Sequence, residues 1–190
     1  MKILVIVGND KLGRKFINSI DTKKFEIILD ESSSLKRVLK LVQRGSLKLS
    51  LIFKMFFSDF FRKDYPLNKE YEVIKNNNDL VNIIKNRDIE QIVLYRGGLI
   101  ISKKVIDLGV KILNIHCAKI PEYGGIGVLD RALNDQAYNQ EATLHIITER
   151  IDEGEVITVE PYKLQESLSY RENDNIAYDA GIKLFNRYFI

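Results

Sequence analysis

Three side chains stand where proton transfer could be arranged. Asn114 and His116 lie two apart at the end of an expected strand, 111–115, and Asp152 opens a polar turn, Asp152-Glu153-Gly154, after Ile146-Ile147-Thr148. An imidazole titrates near neutral pH and can take or give a proton. A carboxylate can hold the ring and stabilise its cation, and a carboxamide N–H can meet negative charge developing on oxygen. On spacing alone the set is weak, because a single His after a strand more often serves as a structural hydrogen-bonding group. The neighbourhood sharpens it. Pro121-Glu122-Tyr123-Gly124-Gly125 begins five residues past His116, and its glycines let backbone approach a ligand closely. Cys117 reads as a buried spacer, since nothing around it points to a lowered thiol pKa. His145, inside a strand pattern, reads as structural. One Cys and two His in total leave no Cys/His metal site to expect.

The elements that would carry these residues alternate. The run 3–7 is apolar and rich in β-branched residues, Gly8-Asn9-Asp10 breaks it, and Leu12, Phe16, Ile17 and Ile20 follow at helical spacing. A strand at 25–29 completes a strand–helix–strand unit, the opening of a parallel sheet. Leu35, Val38, Leu39 and Val42 then mark an amphipathic helix behind Ser32-Ser33-Ser34. A second, Phe-rich helical stretch runs over about 47–61. Further helices are expected at 79–87, 102–108 and 130–137, strands at 92–95, 111–115, 143–148 and 156–162, and a last helix from about 173 to 190. This predicts an α/β fold: a three-layer, Rossmann-like sandwich with a mostly parallel sheet and one reversed strand near Asp152. Ligands bind such sheets beyond the carboxyl ends of the strands, where His116, Asp152 and the turn at Gly97-Gly98 should lie.

Composition narrows the partners. A length of 190 residues and a hydrophobic fraction of 45% suit one domain, 1–190, with a real core. No run approaches the roughly 18 apolar residues of a membrane span, and the start lacks a secretory signal pattern. A lone cysteine fits a reducing compartment, so a cytoplasmic location is expected. Charge is uneven. Between residues 31 and 63 eight basic side chains (Lys36, Arg37, Lys40, Arg44, Lys48, Lys54, Arg62 and Lys63) face only Glu31 and Asp59. That is a local +6; such a field suits an anionic partner such as a nucleotide, a phosphate or a lipid head group, while a solvated helix face is the more ordinary reading.

Three ordered stretches bear a resemblance to the formyltransferases that use 10-formyltetrahydrofolate. Asn114-Ile115-His116 followed by Ile120-Pro121-Glu122-Tyr123-Gly124-Gly125 is similar to that family's Asn-x-His and downstream Leu-Pro-x-Tyr-x-Gly. Ile151-Asp152-Glu153-Gly154-Glu155-Val156-Ile157 is similar to its Asp-x-Gly-x-Ile loop. Gly98-Leu99-Ile100-Ile101-Ser102-Lys103 is similar to the Gly-Leu-Ile-Leu-Pro-Lys segment bordering the folate pocket. The likeness is close over about 90–160. It departs at Cys117, where many members have proline.

The resemblance implies a formyltransferase-like fold and acyl transfer to an amine. Asn114, His116 and Asp152 would be catalytic, 10-formyltetrahydrofolate the cosubstrate, and no metal would be needed. Gly98, Leu99, Ile100, Ile101 and Gly154 would line the folate, and Tyr123, Gly124 and Gly125 would adjoin the acceptor. The acceptor expected first is a nucleotide-linked amino sugar, for example a dTDP-4-amino-4,6-dideoxy sugar used in surface polysaccharide, with Lys36, Arg37 and Lys40 holding its phosphates. Glycinamide ribonucleotide ranks second, because Asp10 stands in the loop where that acceptor's phosphate would bind. A tRNA is not expected, because the chain ends soon after the last core strand. A non-catalytic folate-binding or membrane-surface module is the third reading. Membrane contact ranks low, nucleic acid is not an expected partner, and a homodimer is allowed.

Overall fold

The computed structural model describes residues 2–33, 42, 43, 45 and 48–190. Its elements run β1 (Ile3–Gly8), α1 (Lys11–Ile17), β2 (Glu26–Asp30), α2 (Leu49–Phe60), β3 (Glu72–Ile74), α3 (Asn77–Asn86) and β4 (Gln91–Tyr95). They continue α4 (Lys103–Ile106), β5 (Lys111–His116), α5 (Val128–Asn134), β6 (Asn139–Ile146), β7 (Val156–Lys163) and α6 (Tyr170–Phe189). The strands form one seven-stranded sheet in the order β3-β2-β1-β4-β5-β6-β7. The first five are mutually parallel, whereas β6 runs antiparallel to both β5 and β7. The chain is therefore an α/β Rossmann-like sandwich with a mixed sheet, including the reversed strand expected near Asp152.

Alternation along the strands assigns the two faces. Ile3, Val5, Val7, Val93, Tyr95, Leu113 and Ile115 pack with Phe16 of α1 and with Ala177, Ala180 and Phe185 of α6. Leu4, Ile6, Ile92, Leu94 and Ile112 pack on the other face with Leu80 and Ile83 of α3 and Val105 of α4. The first face is locked by aromatics. Phe16 stacks on Tyr95 with centroids 4.0 Å apart and meets Phe185 edge-on at 4.9 Å, an arrangement that adds about 0.5–1.5 kcal/mol beyond the area buried.

Several boundaries differ from the sequence reading, each for a local reason. β3 was not anticipated, because three residues with one buried apolar side chain, Ile74, show no period. α3 starts at Asn77, not 79. Asn76 caps it, accepting from the backbone of Asn78 and Asp79, and Asp79 answers by accepting from the Asn76 N–H. α6 starts at Tyr170, not 173, under the same reciprocal arrangement between Ser169 and Glu172. β6 begins at Asn139 and stops at Ile146. Of the helix expected over 35–42, residues 35–41 lie outside the described residues. No helix among the described residues is long and apolar enough to cross a membrane.

Candidate active site

Two residues apart in β5, Asn114 and His116 project from the same face of the sheet, the one that carries α3 and α4. Across the antiparallel ladder Asn114 pairs with His145 and His116 with Thr143, so His145 stands beside Asn114 on that face. β6 ends level with Leu113. The loop 147–155 then folds back over the face, bringing Asp152 against all three side chains. Asp152 Oδ2 lies 3.5 Å from His116 Nδ1, and its Oδ1 lies 3.5 Å from both His145 Nε2 and Asn114 Nδ2. Asp152 thus reaches the site across the sheet face, not from a strand's carboxyl end, because β6 is reversed.

Two local features let the loop do this. Asp152 has φ 52, a left-handed conformation that Asp tolerates better than most side chains. Gly154 lies so close to the end of β6 that a Cβ there would sit 1.7 Å from the Ile146 carbonyl oxygen. The Gly154 position is thus explained by backbone crossing; it belongs to the Asp152 loop.

Hydrogen bonds assign the ring protons. His116 Nε2 donates to the Tyr123 carbonyl at 2.8 Å, leaving Nδ1 as the basic nitrogen, directed at Asp152. His145 Nδ1 donates to the Ile146 carbonyl at 3.1 Å, and its Nε2 accepts from the Asn114 amide at 3.1 Å. The Gly125 N–H donates to Asp152 Oδ2 at 2.7 Å. Burial lowers the His116 pKa below its ordinary value, and the Asp152 charge only partly restores it. Burial also pushes the Asp152 carboxyl upward, but the contact with His145, the charge of His116 and the Gly125 N–H outweigh it and hold the group at about 2. The site is a neutral imidazole facing a firmly ionised carboxylate. Cys117 is buried, its thiol pushed up by desolvation, which fits a spacer. His145 is the functional candidate that sequence reasoning set aside; the signal for it is strand register, which periodicity does not reveal.

The segment 97–102 leaves β4 on the same face and is pinned at both ends. The buried Asp30 carboxylate accepts from the Gly98 and Leu99 N–H groups at 2.6 and 2.8 Å. Asn77 donates to the Ile100 carbonyl at 3.0 Å and accepts from the Ser102 N–H at 2.9 Å. The amides of Gly98 and Leu99 are thereby turned away from any ligand, while the Ile100 side chain stays exposed and Ile101 is buried. Tyr123, Gly124 and Gly125 meet the cluster through the Tyr123 carbonyl, the Gly125 N–H and the packing of Gly124 against Asp152.

The loop after β1 is closed on itself. Asp10 caps α1, accepting from the Gly13 N–H at 2.9 Å, and its other oxygen accepts from Arg96 Nε at 2.5 Å. Lys11 Nζ donates to the carbonyls of Asp59, Phe60 and Arg62 at the end of α2. In the basic stretch, Lys54 pairs with Asp130 at 2.6 Å and the buried Arg62 with Asp174 at 2.6 Å. Those two cations are spent internally. Lys36, Arg37, Lys40 and Arg44 lie outside the described residues.

Residues 57–185 match the family model described as formyl transferase. A methionyl-tRNA formyltransferase of Hydrogenobaculum sp. (strain Y04AAS1) is 30% identical over 107 residues, 56% of this chain and 34% of its own length. The chain thus spans about a third of the curated relatives it matches. Among solved structures, a sugar N-formyltransferase from Shewanella sp. FDAARGOS_354 superposes with a TM-score of 0.66 at 16% identity, covering 99% of this chain and 68% of the other. A phosphoribosylglycinamide formyltransferase from Anaplasma phagocytophilum gives 0.67 at 14% identity, covering 98% and 83%. At such identities these two likenesses describe the fold. The family match runs from the last turn of α2 through most of α6, with every residue of the Asn114–His116–Asp152 cluster inside it, and on that match the chain belongs to the formyl transferase family.

Proposed function

We propose that this protein transfers a formyl group from 10-formyltetrahydrofolate to the primary amine of a small acceptor. The observation that carries the reading is the convergence of Asn114, His116, His145 and Asp152 on one sheet face in a chain of this family. The cosubstrate supplies an activated formyl carbon. Attack by the amine forms a C–N bond and a tetrahedral oxyanion; the bond to the folate nitrogen then breaks. The amine must lose a proton and the leaving nitrogen must gain one. His116 Nδ1 takes the proton, Asp152 stabilises the imidazolium, and the same nitrogen returns it. The Asn114 amide keeps one hydrogen on His145 and can trade its long contact with Asp152 for the oxyanion. The pinned 97–102 segment, with Ile100 exposed beside backbone, fits a flat heterocycle. That Asn114, His116 and Asp152 are all present argues against a non-catalytic binding module.

For the acceptor, the relatives weigh against the sequence ranking. Solved structures named phosphoribosylglycinamide formyltransferase match as well as, and at least as often as, those named sugar N-formyltransferase, so glycinamide ribonucleotide has the better support from relatives. One local observation favours the amino sugar: the Asp10 carboxylate fills the N-terminus of α1, where a phosphate would meet like charge. Tetrahydrofolate release should be measured against glycinamide ribonucleotide and a panel of nucleotide-linked amino sugars, with the His116→Asn variant as blank. Acceptor-dependent release lost in the blank supports formyl transfer. Absence of release with every acceptor, together with no rise in melting temperature on adding 5-formyltetrahydrofolate, rejects it.

A further inference from the structure

A helix that is apolar nearly all round is normally buried on most of its circumference. In α2 the buried residues are Leu51 and Ser58 alone, on the side that meets Gly127 before α5 and, through Arg62, Asp174 of α6. At 100° per residue, Leu49, Phe53, Phe56, Phe57 and Phe60 fall within an arc of about 100° on the opposite side. Each is more than half exposed, Phe60 the most at 66%. Phe56 stacks with Phe60 and meets Phe57 edge-on, so the rings form one continuous apolar stripe. Phe61, just past the helix, extends it at 64% exposure.

Cations stand at both ends of the stripe. Lys48 stands exposed at the helix start and Lys63 beyond its end, and neither has an acidic partner among the described residues. Of the acids nearby, Asp130 receives Lys54 and Asp64 meets Arg14, while Asp59, within α2, keeps one carboxylate oxygen buried without a partner. The whole stretch 31–63 carries eight basic and two acidic residues. A second copy on a two-fold axis would set this basic stripe against itself, since isologous pairing brings the same patch face to face.

We propose that α2 docks on an anionic lipid surface, its phenylalanines entering the headgroup boundary and its flanking lysines meeting lipid phosphates. Interfacial helices combine an aromatic apolar face with basic flanks in this way. The helix does not span. Lys54–Asp130 ties α2 to α5, which follows the Tyr123–Gly125 turn, so docking sets the bilayer near the acceptor side of the sheet. The inference stands on α2 and holds whatever the acceptor.

The test is flotation of the full chain with phosphatidylcholine vesicles and with vesicles containing phosphatidylglycerol. Binding is expected to the anionic vesicles only, weakening as salt rises. Phe56→Ser with Phe60→Ser should weaken it by roughly tenfold or more and leave the melting temperature unchanged. If that pair destabilises the fold, Lys48→Glu with Lys63→Glu decides, since both side chains reach solvent; it should weaken binding roughly tenfold at low salt. No binding to anionic vesicles, equal binding to neutral ones, or indifference to the lysine pair overturns the proposal. So does a dimer in sedimentation velocity that the phenylalanine pair abolishes, which would assign the stripe to a second copy.

Discussion

Two aspartates in this fold sit in turns beside a nitrogen partner, and they differ in what they leave undone. Asp10 is fully engaged. Both oxygens make bonds of 2.9 Å or less, one to a helix N-terminus and one to Arg96, whose charge is permanent and is itself stacked over Tyr178. Asp152 makes one short bond, to the Gly125 amide. Its contacts with His116, His145 and Asn114 stretch to 3.5 Å, longer than an ordinary hydrogen bond. Those partners are two titratable rings and an amide. The first turn holds the chain; the second holds charge that can be redistributed. Short bonds to a permanent cation make structure, whereas slack contacts to titratable groups make a place where a proton can move.

The comparison breaks most visibly at His116. His116→Asn should lower turnover by about 10²–10⁴ while the far-ultraviolet circular dichroism stays the same. Near-normal turnover would remove the base assignment. Stability gives a second readout. Burial holds the His116 pKa below 6.5, so the unfolded chain binds the extra proton first. The contribution of the neutral ring is present above pH 6.5 and is lost as pH falls below it. Urea midpoints should therefore drop less between pH 7.5 and 5.5 in the variant than in the parent.

Asp152→Asn is the next largest. Turnover should fall, and the acid limb of the kcat/KM profile should move to lower pH, because the Asp152 charge is the main influence raising His116 against its burial. An acid limb that stays put would separate Asp152 from the ring. Asp10→Ala is the smallest. Loss of the cap should cost about 0.5–2 kcal/mol in denaturant midpoint experiments, with turnover changed only a few-fold. If glycinamide ribonucleotide is the acceptor, the same change should lower its KM by removing like charge. A KM unchanged for that acceptor would leave the loop a purely structural element.

The legible part of this molecule was local. Asn114 and His116 could be placed together because alternate residues of a strand share a face, and Asp152 because a polar turn interrupts apolar runs. The two halves of the sheet and its reversed strand followed from the same patterns. What was hidden depends on register and direction. His145 looked structural until the pairing of β5 with β6 set it beside Asn114. The segment 98–101 was expected to line the folate, yet the Gly98 and Leu99 amides are turned to Asp30, a contact across 68 residues that no window reveals. Lys54 and Arg62 read as part of a free basic field, and both are spent on acids of α5 and α6. The phenylalanine stripe was plain in the sequence. That it turns away from the sheet was not, because periodicity marks a face without saying where it points.

All four polar side chains of the candidate site come from the stretch 114–152, on β5, β6 and the loop that follows. The parallel half of the sheet, by contrast, is stitched from strands far apart along the chain. Length added or removed between β2 and α2 need not disturb the reacting geometry. A chain built this way can vary what it recognises at one end of its sequence while keeping its chemistry at the other, the division of labour between loops and scaffold that lets one fold serve many acceptors.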